Sequence, residues 1–338
     1  MMTFQTRRQF VAGLAAAGGA AVLAPQPAVG SEGALETTSV RFVDFGGGSC
    51  TAPQYIAEEL LRSEGFTDVQ HISMGLKGST ASMMEKGAVD FSLDYASALA
   101  LAIDNGIPMK ALAGIHVGCY VLFGQDGINS VLDLKGKRVG VGPQLGTDPH
   151  VFISAMATYV GLDPVNDINW IVSEKTPLQL FNERKIDALL AFPPDSQLMQ
   201  EKKIGHVVVN SLIDRPWSQY FCCLALAHTS YIENYPIATK HVLRALVKAA
   251  DLCVSDPEGV ARRMLDKGHA TREQYDYTLL SLRQIPYASW RNFDPEDTIR
   301  FFALRLHESG MVKSHPQKVI AEGTDWKFID EVKRELKV

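Results

Sequence analysis

The chain has 338 residues, 46% of them hydrophobic, with 33 basic against 38 acidic side chains and a formal net charge of −5. That length suits two domains. A net negative chain without a basic run or an aromatic-basic stripe is a poor partner for nucleic acid or an anionic membrane. Past the first thirty residues, no apolar run approaches the roughly 18 residues needed to span a bilayer.

Thr6-Arg7-Arg8-Gln9-Phe10 precedes the Gly/Ala-rich run VAGLAAAGGAAVLA and then PQPAVGSEGA. A charged start, a moderately apolar middle and small residues at the end make an export signal. The paired arginines, followed two residues later by Phe, point to the twin-arginine route. A buried helix is the alternative, but the glycines and the missing polar face oppose it. Cleavage after Ala28 or Gly30 removes two arginines and no acid, leaving 31 basic residues against 38 acidic ones and a mature charge of −7. Residues 1–30 are therefore set apart from the fold, and 31–39 reads as a polar linker.

A strand over 40–45 opens the folded part and leads into Gly46-Gly47-Gly48-Ser49-Cys50-Thr51. A helix over 53–63 follows, with Pro53 suited to its first turn. Strand 68–74 runs into Gly75-Leu76-Lys77-Gly78-Ser79-Thr80, and the next helix stops at Gly87. VDFSLDY is a buried strand, ASALALAIDNG a helix, and KALAGIH and CYVLFG are strands. A second unit begins at 131, with strand RVGVG, loop PQLGTD, helix 149–160, strand INWIVS, helix PLQLFNER and strand IDALLAF. Pro193-Pro194-Asp195 opens another helix, and HVVVN closes the unit. FCCLALAH, strand-like, crosses back to the first unit. The remainder, 233–338, is mostly helical, with Asp256, Thr271 and Asp294 placed as N-caps.

The two units repeat. EKGAVDFSLDY in the first matches NERKIDALLAF in the second, with Asp90 and Asp187 anchoring the match 97 positions apart. Each copy runs βαβαβ. Strands alternating with helices imply an α/β protein of mostly parallel sheets flanked by helices. The expected organisation is a discontinuous first lobe, 40–125 plus 222–338, and a second lobe, 126–221, inserted into it. A cleft between lobes is a place to hold a small molecule.

Five cysteines, Cys50, Cys119, Cys222, Cys223 and Cys253, lack metal spacing. An odd count in an oxidising compartment leaves at least one thiol free unless it joins another chain. Cys222, Cys223 and Cys253 sit in apolar runs and read as small buried hydrophobes.

In order and spacing, several segments resemble the periplasmic solute-binding proteins of ABC importers, in the NMT1/THI5-like branch that includes nitrate, taurine, alkanesulfonate and pyrimidine-precursor binders. These are the first-strand loop with APQYIAEE, the GLKGSTASMMEKGAVDFSLDYASALALAIDNGIPMKALAG stretch, VLDLKGKRVGV, GLDPVNDINWI, KIDALLAF and IENYPIATKHVLRALVKA. The likeness covers roughly 40–255. It implies a type II-like periplasmic binding protein fold, a hinge, a solute in the cleft, a monomer, and a permease with its ATPase subunit as partners. No cofactor, metal or stable membrane insertion is expected.

In open α/β sheets ligands sit beyond the carboxyl ends of strands, where loops lead into helix N-termini. That places Gly47, Gly48, Ser49, Cys50, Lys77, Ser79, Thr80, Asp94 and Tyr95 on one wall. Gly146, Thr147, Asp148, Phe192 and Asp195 form the other, and His116 is a further candidate. The resemblance matches these loops rather than a fixed side-chain set. Each residue also has a plainer role: glycines for turns, Ser79, Thr80, Thr147 and Asp148 as caps, Tyr95 and Phe192 in the core, His116 as a structural histidine, and Lys77 as a solvated lysine. Candidate cleft cations are Lys77, His116, His150 and Lys175; candidate acids are Asp94, Asp148, Glu174 and Asp195. No arginine lies in these loops. A sulfonate or nitrate site often includes an arginine fork, so a neutral or amine-bearing solute fits equally well.

The rival class is an enzyme, since pyrimidine-precursor synthesis proteins share the fold. No nucleophile elbow, HExxH, P-loop or dinucleotide fingerprint is present. GGGSC offers Cys50 as a nucleophile without an identifiable base. A receptor for a TRAP-type carrier or a sensor is a third class.

Overall fold

The structure is a computed structural model that describes residues 33–75 and 78–338. The expected export signal and Lys77 lie outside the described residues. Ten strands form two five-stranded sheets. The first contains β1 (Ser39–Asp44), β2 (Asp68–Ser73), β3 (Phe91–Tyr95), β4 (Met109–Val117) and β10 (Phe221–His228), in the order β2-β1-β3-β10-β4. The second contains β5 (Val121–Gly124), β6 (Arg138–Gly142), β7 (Asn169–Val172), β8 (Ala188–Ala191) and β9 (His206–Asn210), in the order β7-β6-β8-β5-β9.

Each sheet holds one strand that runs against the other four: β10 pairs antiparallel with β3 and β4, and β5 with β8 and β9. These are the strands that carry the chain between sheets. By its pairing β5 belongs to the second sheet, so the change of sheet falls before Val121, ahead of the expected 125/126 boundary. The pattern of apolar residues explains the order. FSLDY and FCCLALAH are buried almost end to end, as interior strands must be, whereas DVQHIS alternates towards solvent at the edge.

The repeat has a structural counterpart at its anchors. Arg41 donates its backbone N–H and its guanidinium to Asp90 at 2.7–3.0 Å. Arg138 makes the same three bonds to Asp187 at 2.6–3.1 Å. In each half the aspartate before a central strand clamps an arginine of its parallel neighbour.

The helix Pro236–Ser255 is the main support of the first sheet's flank. Ala238, Val242, Ala245, Leu246, Ala249 and Cys253 form one buried stripe at helical spacing. It packs against the helices Ala52–Ile56 and Lys327–Leu336. Asp256 and Asp294 cap the helices that follow them, accepting from Gly259 N–H and Glu296 N–H. Thr271 closes a capped turn with Gln274 ahead of the helix Tyr275–Gln284.

Two crossovers join the sheets, 118–120 and 211–220, and they touch. The Ser211 hydroxyl donates to Tyr120 O at 2.7 Å and accepts from Tyr120 N–H at 3.0 Å. Gly118 has φ +64, and a Cβ there would stand 2.9 Å from Leu212 Cα and from Ser211 O. The C-terminal helices also bridge the halves. Pro295–Glu308 packs against Ala96–Asp104 on one side and Asp148–Tyr159 on the other, and Gln197 donates to Gln284 at 3.0 Å.

Candidate functional site

A cavity of about 290 Å³ opens where β1, β3 and β6 end and their loops turn into helices. From the first sheet's side come Ser79, Thr80, Asp94 and Tyr95; from the second come Gly146, Thr147 and Asp148. The structure thus brings seven of the expected site residues together around one space. Phe45, Asn105 and Gln144 line it as well. Sequence reasoning passed over them because an isolated Phe, Asn or Gln at a loop edge carries no motif.

Local chemistry fixes several of these side chains. Ser79 caps the helix Thr80–Glu85 through a reciprocal bond with Ser82. The Thr147 hydroxyl donates to Val141 O at 2.8 Å, tying the loop to the end of β6. Asp94 is 6% exposed and its Oδ1 accepts from Tyr95 N–H at 2.7 Å. Asp148 is half-buried and is the first residue of the helix Asp148–Tyr159.

Burial pushes the Asp94 carboxyl up to about 6; the Thr80 hydroxyl and Tyr95 N–H only partly oppose this. Burial, and then the nearby Asp94 carboxyl, push Asp148 well above the usual carboxylate range. The Thr80 hydroxyl lies near Asp94 but is not aligned as a hydrogen-bond partner of any group.

The other expected site residues sit outside the cavity. Gly47, at φ +114, runs so close to the backbone of His269 that a Cβ would fall 2.0 Å from its oxygen. Gly48 faces Pro193 O of the other half. Ser49 is fully buried, its hydroxyl accepting from Ser281 at 2.5 Å and its carbonyl from the Tyr287 hydroxyl. Phe192 reaches across the interface, its ring 4.7 Å from that of Tyr95. Asp195 is exposed at the start of the helix Asp195–Glu201.

Among the described residues, the candidate cations are placed elsewhere or are uncharged. Burial pushes His150 down to about 4, and its Nδ1 accepts from Gly146 N–H at 3.0 Å. Lys175 pairs with Glu183 at 2.7 Å. His116 is fully buried behind the cavity, with Nε2 donating to Cys50 O at 3.0 Å and Nδ1 facing Val117 O at 3.4 Å.

Around His116 the fold gathers four cysteines that are far apart in sequence. Cys119 Sγ lies 3.0 Å from Cys50 Sγ and 2.8 Å from Cys222 Sγ, all three as free thiols. Burial opposes charge on both Cys223 and His116. The Cys119 and Cys222 side chains, and then the His116 imidazole, nevertheless lower the Cys223 thiol, and Cys223 in turn raises the imidazole. The Cys50 thiol is instead raised by burial, and the imidazole bonds its carbonyl rather than its sulfur. Among the described residues no group of three His, Cys, Asp or Glu has metal-holding geometry, and no helix is long and apolar enough to cross a membrane.

The family described as NMT1/THI5 like matches residues 52–260, more than half of the chain. A binding protein of Brucella abortus is 24% identical over 172 residues, 51% of this chain and 53% of the relative; one of Brucella suis matches equally. The match thus spans about half the length of these curated relatives. Among solved structures, the periplasmic nitrate-binding protein NrtA of Synechocystis PCC 6803 superposes with TM-score 0.73 at 14% identity, over 90% of this chain and 91% of that one. The alkanesulfonate-binding protein SsuA of Xanthomonas axonopodis pv. citri, bound to MOPS, gives 0.67 at 14% identity, over 87% and 100%. A Candida albicans gene product described as having the generic periplasmic binding protein fold gives 0.64 at 11% identity, over 86% and 96%. With two five-stranded α/β sheets facing each other across a cavity, and with the family match covering most of both, this chain is a member of the NMT1/THI5-like family with the two-domain fold of periplasmic binding proteins.

Proposed function

We propose that the chain is the extracytoplasmic solute-binding component of an ABC importer. It captures a small polar organic solute between its lobes, closes about the two crossovers and presents the closed form to a permease whose ATPase is a separate subunit. The observation that carries this reading is the cavity walled by loops from both sheets. A solute held there touches Ser79, Thr80, Asp94 and Tyr95 on one side and Gly146, Thr147 and Asp148 on the other. Only the closed state makes both sets of contacts, so binding favours closure. The protein acts as a monomer in the periplasm, delivered by the twin-arginine signal at its start.

A thermal-shift screen of sulfonates, carboxylates, amines and pyrimidines tests the binding step. A true solute at a hundred times its Kd adds about 2.7 kcal/mol of stability and raises Tm; a screen in which no class does so contradicts the reading. Export is tested separately. Arg7→Lys with Arg8→Lys leaves the protein in the cytoplasm if the route is correct, and unaltered export rules that route out.

The thiol cluster beside His116 supports a second reading, a pyrimidine-precursor synthesis-type enzyme. That reading requires turnover. Incubation followed by mass spectrometry distinguishes the two, because a binding protein releases its solute unchanged.

A further inference from the structure

We propose that the solute carries a positive charge, an amine or amidine group seated between the carboxyls of Asp94 and Asp148, one from each lobe. The proposal rests on the solute-binding reading above and assigns the class of solute.

The wall of the cavity is the first ground. Among the described lining residues, Asp94 and Asp148 are the charged side chains, and none is Lys, Arg or His. His150 and Lys175 do not supply the missing cation, the first because burial keeps it neutral and the second because it pairs with Glu183. His116 faces the thiol cluster and two carbonyls instead.

The second ground is independent of charge. The Thr80 hydroxyl is 4% exposed, lines the cavity and has no aligned hydrogen-bond partner. Buried hydroxyls in folded proteins are nearly always satisfied. Beside Asp94, this one is within reach of the carboxyl that takes the ligand's charge.

The third ground concerns the helix ends. A helix N-terminus draws an anion because its first N–H groups are unpaired and its dipole is positive there. Here acidic side chains stand at those ends. Asp94 accepts from the N–H of Tyr95, the residue before Ala96–Asp104, and Asp148 is the first residue of the other helix, although neither carboxyl caps a helix N–H. An incoming nitrate or sulfonate meets carboxyls where it would need donors. Burial favours a bound proton on both carboxyls, and the nearby Asp94 adds to this at Asp148. An ammonium or amidinium replaces that proton and forms charge-assisted bonds to both walls, which links the ligand's charge directly to closure. The cavity, at about 290 Å³, admits a compact solute, with the Tyr95 ring as its apolar wall.

The test uses probes matched in shape and opposite in charge, at pH 7.5: benzylamine, benzamidine, agmatine and choline against benzoate, benzenesulfonate, nitrate and ethanesulfonate. At least one amine or amidine is expected to raise Tm and no anion to do so. Asp94→Asn and Asp148→Asn, which keep size and hydrogen-bonding capacity, are each expected to weaken that probe at least tenfold while the unliganded variants stay folded by circular dichroism. A panel in which no amine or amidine binds overturns the assignment. If an anion binds instead, the charge assignment fails while solute capture stands. If neither class binds, both fail. Amine binding that survives both Asn variants unchanged overturns the site.

Discussion

Asp94 is where burial and function pull against each other. Its carboxyl is raised to about 6 in the folded chain against an ordinary value of 3.8, so the folded state holds a proton that the unfolded state releases. Stability from this group is therefore greatest below about pH 4 and is lost as pH rises through about 6. Among the described residues, the groups facing it are Thr80, Tyr95 N–H, Cys223 and Asp148, and none of these is a cation. Asp94→Asn is expected to raise the Tm of the solute-free protein at pH 7.5, by an amount on the order of 2–3 kcal/mol, and to leave it nearly unchanged at pH 4. A Tm series across that range in wild type and variant measures it; a variant less stable than wild type at pH 7.5 contradicts it. The aspartates of the repeat are instead each paired with an arginine. Asp90 has 11% side-chain exposure in its pair with Arg41, and Asp187 has 24% in its pair with Arg138. Replacing either by Ala is expected to destabilise, by about 1–3 kcal/mol, with the more buried Asp90 the more costly. Urea midpoints of the two variants give that order. Both aspartates stood out in the sequence as the anchors of the match. The arginines did not, although they recur at the same interval of 97, because a charged residue near the start of a strand reads as an ordinary edge.

At the scale of elements, the chain order of strands and helices was legible because each buried strand is a short apolar run bounded by turn residues. VDFSLDY, IDALLAF and FCCLALAH all became interior strands. The return of β10 to the first sheet was legible too, from the change of character after Trp217. The four-cysteine cluster was not. Cys50, Cys119 and Cys222 lie 69 and 103 positions apart, and only the meeting of the first loop with the first crossover and the start of β10 brings them together. The crossovers themselves make two sharp predictions. Gly118→Ala adds a Cβ against the backbone of the partner crossover at a φ of +64. It is expected to lower Tm by an amount worth about 1–3 kcal/mol, whereas Gly127→Ala, at φ +87 with open space around it, is expected to carry only the smaller backbone penalty. Comparable losses at the two sites contradict a tightly packed crossover. In the supporting helix, Leu246 is fully buried, and Leu246→Ala is expected to cost about 2–5 kcal/mol in chemical denaturation; a loss under 1 kcal/mol contradicts its place in the core.

At the scale of the molecule, the doubled unit gave two lobes and the position of a cavity, because loops at the carboxyl ends of strands follow from topology alone. What occupies the cavity depends on burial and on which loops meet, and neither is written in local pattern. Asp94 and Asp148 were read as two acids among four candidates. Their convergence follows from the packing of the two sheets, with the C-terminal helices Pro295–Glu308 and Tyr275–Gln284 reaching from one half to the other. Those bridges, together with the Tyr95–Phe192 ring contact, hold the halves against each other, and under the proposed function they yield for a solute to enter. The central claim is that the solute closes the two lobes. Small-angle X-ray scattering on protein stripped of bound solute by partial unfolding and refolding, before and after saturation with a solute that raises Tm, tests it most directly. The expected result is a smaller radius of gyration on saturation; an unchanged radius with the site demonstrably filled would contradict closure.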